Sequence, residues 1–185
     1  MTTPQALLSS ESTEWYTPPH VIAAVRQVLG RIELDPASCD AAQITVQATR
    51  FFTLEDDGLT QHWFGAVFLN PPYGKTRGKS NQAIWTEYLI DQYERGTTTE
   101  AIALVNAVPG EKWFQALWDY PICFTRRMKF VPPPGSARKN SPTHGSALVY
   151  FGRHPDRFQA VFEQLGTVVE RRRSTSDLLR ALGRG

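Results

Sequence analysis

A chain of 185 residues with 41% hydrophobic side chains, ten Phe and five Trp can bury one sizeable core, which excludes a disordered polymer. Two Cys and four scattered His exclude a disulfide framework and a zinc ligand set, and no apolar run reaches the roughly 20 residues of a membrane helix. The net charge of +2 hides an asymmetry: three Arg face eight acids over residues 1–70, and 17 Lys or Arg face ten acids over 71–185, a basic half that suits a polyanionic partner.

In chain order, Thr17-Pro18-Pro19 followed by Val21, Ile22, Val25, Val28 and Leu29 predicts an amphipathic helix, with Thr17 as N-cap and Gly30 as its end. Arg31 to Asp35 reads as a short strand stopped by Pro36. Ala66-Val67-Phe68-Leu69 is a continuous apolar run, the pattern of a strand buried on both faces, and it ends at Asn70-Pro71-Pro72-Tyr73. Ile84, Trp85, Tyr88, Leu89 and Tyr93 mark a helix, and Ala101 to Val105 a further buried strand. Glu111 to Trp118 reads as helical, Pro121 to Phe124 as extended and Ala147 to Phe151 as a strand. Phe158, Val161, Phe162 and Leu165 mark a last helix before a short strand at Thr167 to Glu170. Gly74 to Asn81 and Pro132 to Gly145, rich in Gly, Pro, Ser and basic residues, read as mobile basic loops. Alternating strands and helices imply an α/β fold with a largely parallel sheet, whose ligands bind beyond the carboxyl ends of the strands. A single domain over residues 1–170 with a short basic tail over 171–185 is expected.

The segment Asn70-Pro71-Pro72-Tyr73 carries the sharpest chemical signal. Two prolines cannot continue a ladder, and they hold the backbone rigid where the Asn70 side chain and the Pro71 carbonyl emerge. Two acceptors in preset geometry suit a planar amino group with two N–H donors, and Tyr73 offers a ring on which a base can stack. An ordinary turn is the competing reading.

Asn-Pro-Pro-Tyr after an apolar strand resembles the catalytic motif of amino-group methyltransferases. Glu14-Trp15-Tyr16-Thr17-Pro18-Pro19, Glu33-Leu34-Asp35-Pro36-Ala37-Ser38, and Phe51-Phe52 ahead of Asp56-Asp57-Gly58-Leu59 extend the likeness to the phage-type, Dam-like DNA N6-adenine methyltransferases, over roughly residues 10–152. The resemblance implies a Rossmann-like methyltransferase fold that uses S-adenosylmethionine, acts on DNA and comes from a phage or prophage. It further implies that Asn70 and Pro71 accept hydrogen bonds from the adenine amine, with Pro72 stiffening the turn and Tyr73 stacking on a base swung out of the duplex. Trp15, Tyr16, Thr17 and Pro18 would close over the cofactor. Asp35, with Pro36 and Ala37, would face its ammonium, and Asn70 would border it. Asp56 or Asp57 would serve its ribose or adenine, Asp57 being the one taken, unless Glu55-Asp56-Asp57-Gly58 is simply a solvated acidic turn. Pro36-Ala37-Ser38-Cys39-Asp40 departs from the glycine-rich turn of the wider class.

Lys75, Arg77 and Lys79 directly follow Tyr73, and Arg126, Arg127, Lys129, Arg138 and Lys139 form a second basic group; both are candidates for phosphate contacts. With no room for a separate recognition domain, target choice would fall to residues 74–81 and 132–145 or to a homodimer. Cys39 and Cys123 read as buried small residues rather than nucleophiles, and His62 and His144 lack ligand-like neighbours. Cytosine N4 methylation, RNA or protein-glutamine methylation, and a catalytically silent DNA-binding module remain open alternatives. No basic stretch followed by an apolar core precedes Trp15, so no membrane partner and a cytoplasmic setting, as monomer or homodimer, are expected.

Overall fold

The computed structural model describes residues 15–132 and 145–171. The first apolar stripe folds as α1 (Pro19–Leu29), which buries Val21, Ile22, Val25 and Val28. Pro18, not Thr17, takes the N-cap position, extended at ψ 145° as a residue before proline must be. Thr17 lies one residue earlier and is buried. Gly30 ends the helix at φ 76°, as expected.

β1 comprises only Leu34–Asp35, shorter than the expected strand. It is followed by α2 (Asp40–Val46) and β2 (Arg50–Phe51), elements the apolar pattern does not announce. Then come β3 (Gly65–Leu69), β4 (Lys75–Thr76), β5 (Lys79–Ser80), α3 (Asn81–Glu94) and β6 (Thr98–Asn106). β7 (Ile122–Thr125), β8 (Ser146–Phe151), α4 (Pro155–Phe162) and β9 (Gly166–Val169) complete the order. Lys112–Asp119 is a 3-10 helix rather than an α-helix.

Among the described residues, seven strands form one sheet in the order β2-β1-β3-β6-β8-β7-β9. β2, β1, β3 and β6 are parallel neighbours; β8 is antiparallel to both β6 and β7, and β9 is antiparallel to β7. β7 thus runs in the same direction as β6, so five of these seven strands point one way; the sheet is mostly parallel in this sense and is flanked by helices, the Rossmann-like methyltransferase arrangement. Side chains alternate across it. Phe68, Ile102, Leu104 and Tyr150 pack with α1 and α4, whereas Val67, Leu69, Ala103 and Val149 pack with Trp85 and Leu89 of α3. The alanines of β6 let α3 lie close to the sheet.

After β1 the chain moves outward to β2, and it returns on the other side of β1 as β3. The carboxyl ends of β1 and β3 thus flank the point where strand order reverses, the place in such sheets where a crevice opens.

A candidate methyl-transfer site at the strand ends

A cavity of about 500 Å³ lies at this crevice, within the size range of small-molecule sites. Leu34 is level with Val67, so Asp35 sits beside Phe68, two residues below Asn70 on the neighbouring strand. With ordinary strand spacing and rise, their backbones are about 8 Å apart. The site residues Asp35, Asn70 and Tyr73 line one cavity, together with Trp15, Thr17 and Asp57. So do Tyr16, Pro36, Ala37, Pro71 and Pro72; Pro18 is buried beside them in sequence but is not among the lining residues.

Asp35 is 2% exposed. Gln43 of α2 donates from Nε2 to Asp35 Oδ2 at 2.9 Å and to Ser38 Oγ at 2.7 Å, while its Oε1 accepts from the Ala48 N–H at 2.8 Å. Gln43 thereby ties the turn after β1 to the end of α2. Oδ1 of Asp35 is buried and has no hydrogen-bond partner among the described residues. Burial pushes the carboxyl up to about 6, against the opposing pull of Ser38, the Ala37 N–H and Gln43. An unsatisfied carboxylate oxygen on a cavity wall is an arrangement that a cation would complete.

The acidic turn divides its labour. Asp56 Oδ2 accepts from both the N–H and the hydroxyl of Thr53 at 2.8 Å, and these bonds hold its carboxyl below the ordinary range. Asp56 closes a surface turn, whereas Asp57, at φ 50°, reaches the cavity. Gly58 makes the close approach possible: a Cβ there would lie 2.0 Å from the Pro36 carbonyl oxygen. The buried Trp63 donates from its indole N–H to the Gly58 carbonyl at 2.7 Å, which fixes the Gly58 turn from beneath.

At the end of β3, Asn70 Nδ2 donates to the Trp15 carbonyl at 3.1 Å. That bond orients the amide and leaves Oδ1 without a partner among the described residues. The Trp15 segment is itself braced, because Tyr16 and Val131 exchange two backbone hydrogen bonds of 2.9 Å. Tyr73 is half-buried, and burial pushes its phenol up to about 12, so the ring stays neutral at any working pH. A neutral ring suits stacking.

Several expectations need correction. Residues 75–80 are not an irregular mobile loop but a two-stranded hairpin, closed by Arg77 and Gly78 at φ 50° and 80°. Positive φ at both central positions is the turn geometry that matches strand twist, and Gly78 was its sequence signal. Lys75, Arg77 and Lys79 are exposed on it; Lys79 is paired with Glu87 at 2.6 Å, whereas Lys75 and Arg77 have no ion pair among the described residues. Arg127 and Lys129 are exposed on an extended stretch that buries Met128 and Phe130, and Arg126 donates to the Gln164 carbonyl at 3.1 Å. Arg138 and Lys139, His144, the 133–144 part of the proposed recognition loop and the tail beyond Arg171 lie outside the described residues. Cys123 is buried as expected, its thiol pushed up to about 11, but Cys39 is half-buried and borders the cavity, 3.7 Å from the Tyr16 hydroxyl. Among the described residues no His, Cys, Asp and Glu cluster could hold a metal, and no helix is long and apolar enough to cross a membrane. Gln43, Gly58 and Asn81 were not anticipated; only Asp40-Ala41-Ala42, a helix-favouring start, hinted at the helix that carries Gln43.

No curated protein and no solved structure matches the chain. The family described as DNA N-6-adenine-methyltransferase (Dam) matches residues 5–177, a stretch that includes every element of the cavity and every strand of the sheet. With an amide acceptor and a proline-braced aromatic at one strand end and an unsatisfied carboxylate beside them, the chain belongs to the DNA N-6-adenine-methyltransferase family.

Proposed function

We propose that this chain transfers a methyl group from S-adenosylmethionine directly to N6 of adenine in DNA, on a base swung out of the duplex. One observation carries the reading: the Trp15 carbonyl holds the Asn70 amide nitrogen, so that Oδ1 is presented as an acceptor on a cavity that Asp35 also lines. The chemistry of the cavity lining supports this cofactor. The orphaned Asp35 Oδ1 would receive the ammonium, Asp57 a ribose hydroxyl, and the glycine-lined Asp57-Gly58 turn the flat adenine. When bound, S-adenosylmethionine supplies an electrophilic methyl on a sulfonium centre.

The chain's own residues do the rest. Asn70 Oδ1 and the Pro71 carbonyl accept the two N–H bonds of the target amine, which draws its lone pair out of conjugation with the ring. The same oxygens stabilise the positive charge that develops on nitrogen, a preorganised dipole effect worth about 3 kcal/mol per acceptor. Neither oxygen is basic enough to take a proton beforehand, so the amine keeps both hydrogens while its bond to the methyl forms and the methyl–sulfur bond breaks. The methylated nitrogen would then give up one proton to water, and S-adenosylhomocysteine would leave. Tyr73 stacks on the base and offsets part of the few kcal/mol spent on extruding it. Lys75 and Arg77 would hold backbone phosphates beside the cavity mouth. The test is methyl transfer from labelled S-adenosylmethionine to mixed-sequence DNA, with nucleosides identified by mass and chromatography. N6-methyladenine is expected, with Asn70→Ala slower by about 10²–10³-fold. N4-methylcytosine would replace the substrate, and transfer undiminished in Asn70→Ala would refute the mechanism.

A further inference from the structure

Asn81 opens α3 immediately after the hairpin and closes the chain between Tyr73 and itself with three hydrogen bonds. Its Nδ2 donates to the Tyr73 carbonyl at 3.1 Å, its Oδ1 accepts from Thr76 Oγ1 at 2.6 Å, and its backbone N–H donates to the Gly74 carbonyl at 3.0 Å. The anchor is firm, because α3 packs on the sheet through the buried Trp85 and Leu89. What it holds is not firm by itself. The prolines stiffen residues 71 and 72, but beyond Tyr73 the chain turns at Gly74 with φ 93°, a free hinge without a Cβ. The second arm of the latch is the Thr76 hydroxyl on β4, the strand that begins at Lys75 and leads to Arg77 at the tip. A capping role does not explain the side chain: Ser80 is the N-cap of α3, and the Asn81 amide bonds back into the loop instead of to the helix N–H groups.

We propose that Asn81 is a positioning residue that couples the basic hairpin to the Tyr73 ring, so that phosphate held by Lys75 or Arg77 sets the ring against the extruded base. This rests on the DNA methyl-transfer reading above. The three bonds make Tyr73, the hairpin and the helix start one body; without them the ring and the cations move independently about Gly74.

Three variants separate the arms. Thr76→Val removes the hairpin arm alone. Asn81→Asp keeps the acceptor for Thr76 but turns a carboxylate oxygen on the Tyr73 carbonyl. Asn81→Ala removes both side-chain bonds. Steady-state methyl transfer to mixed-sequence duplex is measured for each, with S-adenosylmethionine affinity by calorimetry. The expected result is about a tenfold higher KM for DNA in Thr76→Val with kcat near wild type, and about a tenfold lower kcat in Asn81→Asp. Cofactor affinity should stay within about twofold throughout, and Thr76→Val should add nothing further in the Asn81→Ala background. Independent, additive losses from Thr76→Val and Asn81→Ala, or a fall in cofactor affinity that tracks the loss of activity, would overturn the coupling. A wild type that methylates no DNA would sink the functional reading instead. The latch is then read by native trypsin cleavage at Lys75 and Arg77, expected to be faster in Asn81→Ala and no faster still in the double variant. Unchanged cleavage in Asn81→Ala would overturn the latch itself.

Discussion

Replacing Asp35 by Asn probes the carboxylate that the fold buries without fully satisfying. Its folded-state value, about 6, lies above the ordinary 3.8, so the folded chain binds this proton more tightly than the unfolded chain does. The resulting stability is complete below about pH 4 and is lost as the pH rises through about 6. A rise of about two units corresponds to about 3 kcal/mol. Asn at position 35 never ionises, and its carbonyl oxygen can still accept the 2.9 Å hydrogen bond from Gln43. In the absence of cofactor, Asp35→Asn should therefore match the wild type near pH 4 and exceed it by up to about 3 kcal/mol near pH 8. For a chain of this size that is a midpoint shift of roughly 6–12 °C, readable by thermal denaturation of the two proteins side by side. Other carboxylates contribute equally to both curves and cancel in the difference. Cofactor binding has the opposite dependence. On the proposed reading the ionised carboxylate is the form that would receive an ammonium, so wild-type affinity should be flat above about pH 6 and fall about tenfold per unit below it. The Asn variant should bind weakly with no such inflection. A variant less stable than the wild type near pH 8, or a wild-type affinity that is flat between about pH 5 and 7, would refute the reasoning.

Gly58→Ala should push the Asp57 turn off the Pro36 carbonyl, because the added Cβ has 2.0 Å where it needs more than 3. A loss of about 1–3 kcal/mol in denaturant titration is expected, together with weaker cofactor binding measured by calorimetry. Lys75→Ala and Arg77→Ala should each reduce the slope of log affinity for DNA against log salt by about 0.9 in a fluorescence-anisotropy titration. Lys79→Ala should change it less, because Glu87 already neutralises that ammonium at 2.6 Å.

The parts of the molecule written in hydrophobic pattern were readable from the chain. α1 shows its stripe from Val21 to Leu29, and β3 and β8 are continuous apolar runs because both of their faces are covered. The place of Asn70 and Tyr73 just past a strand end was readable as well, since two prolines stop a buried strand. The elements without apolar periodicity were not. α2 exposes Ile44 and buries only Val46, so it carries no stripe, and β2 is two residues held by its neighbour's ladder. β4 and β5 consist of Lys, Thr, Lys and Ser, all polar, so the hairpin is a product of its turn and of Asn81 rather than of burial. Trp113, Phe114, Leu117 and Trp118 are spaced in a way that fits a 3-10 helix as well as an α-helix. Gln43 could not have been assigned to Asp35 without α2, and the support of the candidate site was hidden for that reason more than its cavity-lining groups were.

The bond between Asn70 and Trp15 spans 55 positions, and the bridge that braces it joins residue 16 to residue 131. Closing such loops is entropically expensive and comes late in folding. A chain emerging from the ribosome displays all four residues of the reactive turn long before Val131 exists to steady the segment that aims the amide. On the proposed mechanism, the nascent chain would carry this turn unaimed until the strand ends close. By the same mechanism, a fragment that keeps β3 but loses either distant segment would keep the turn and lose its brace.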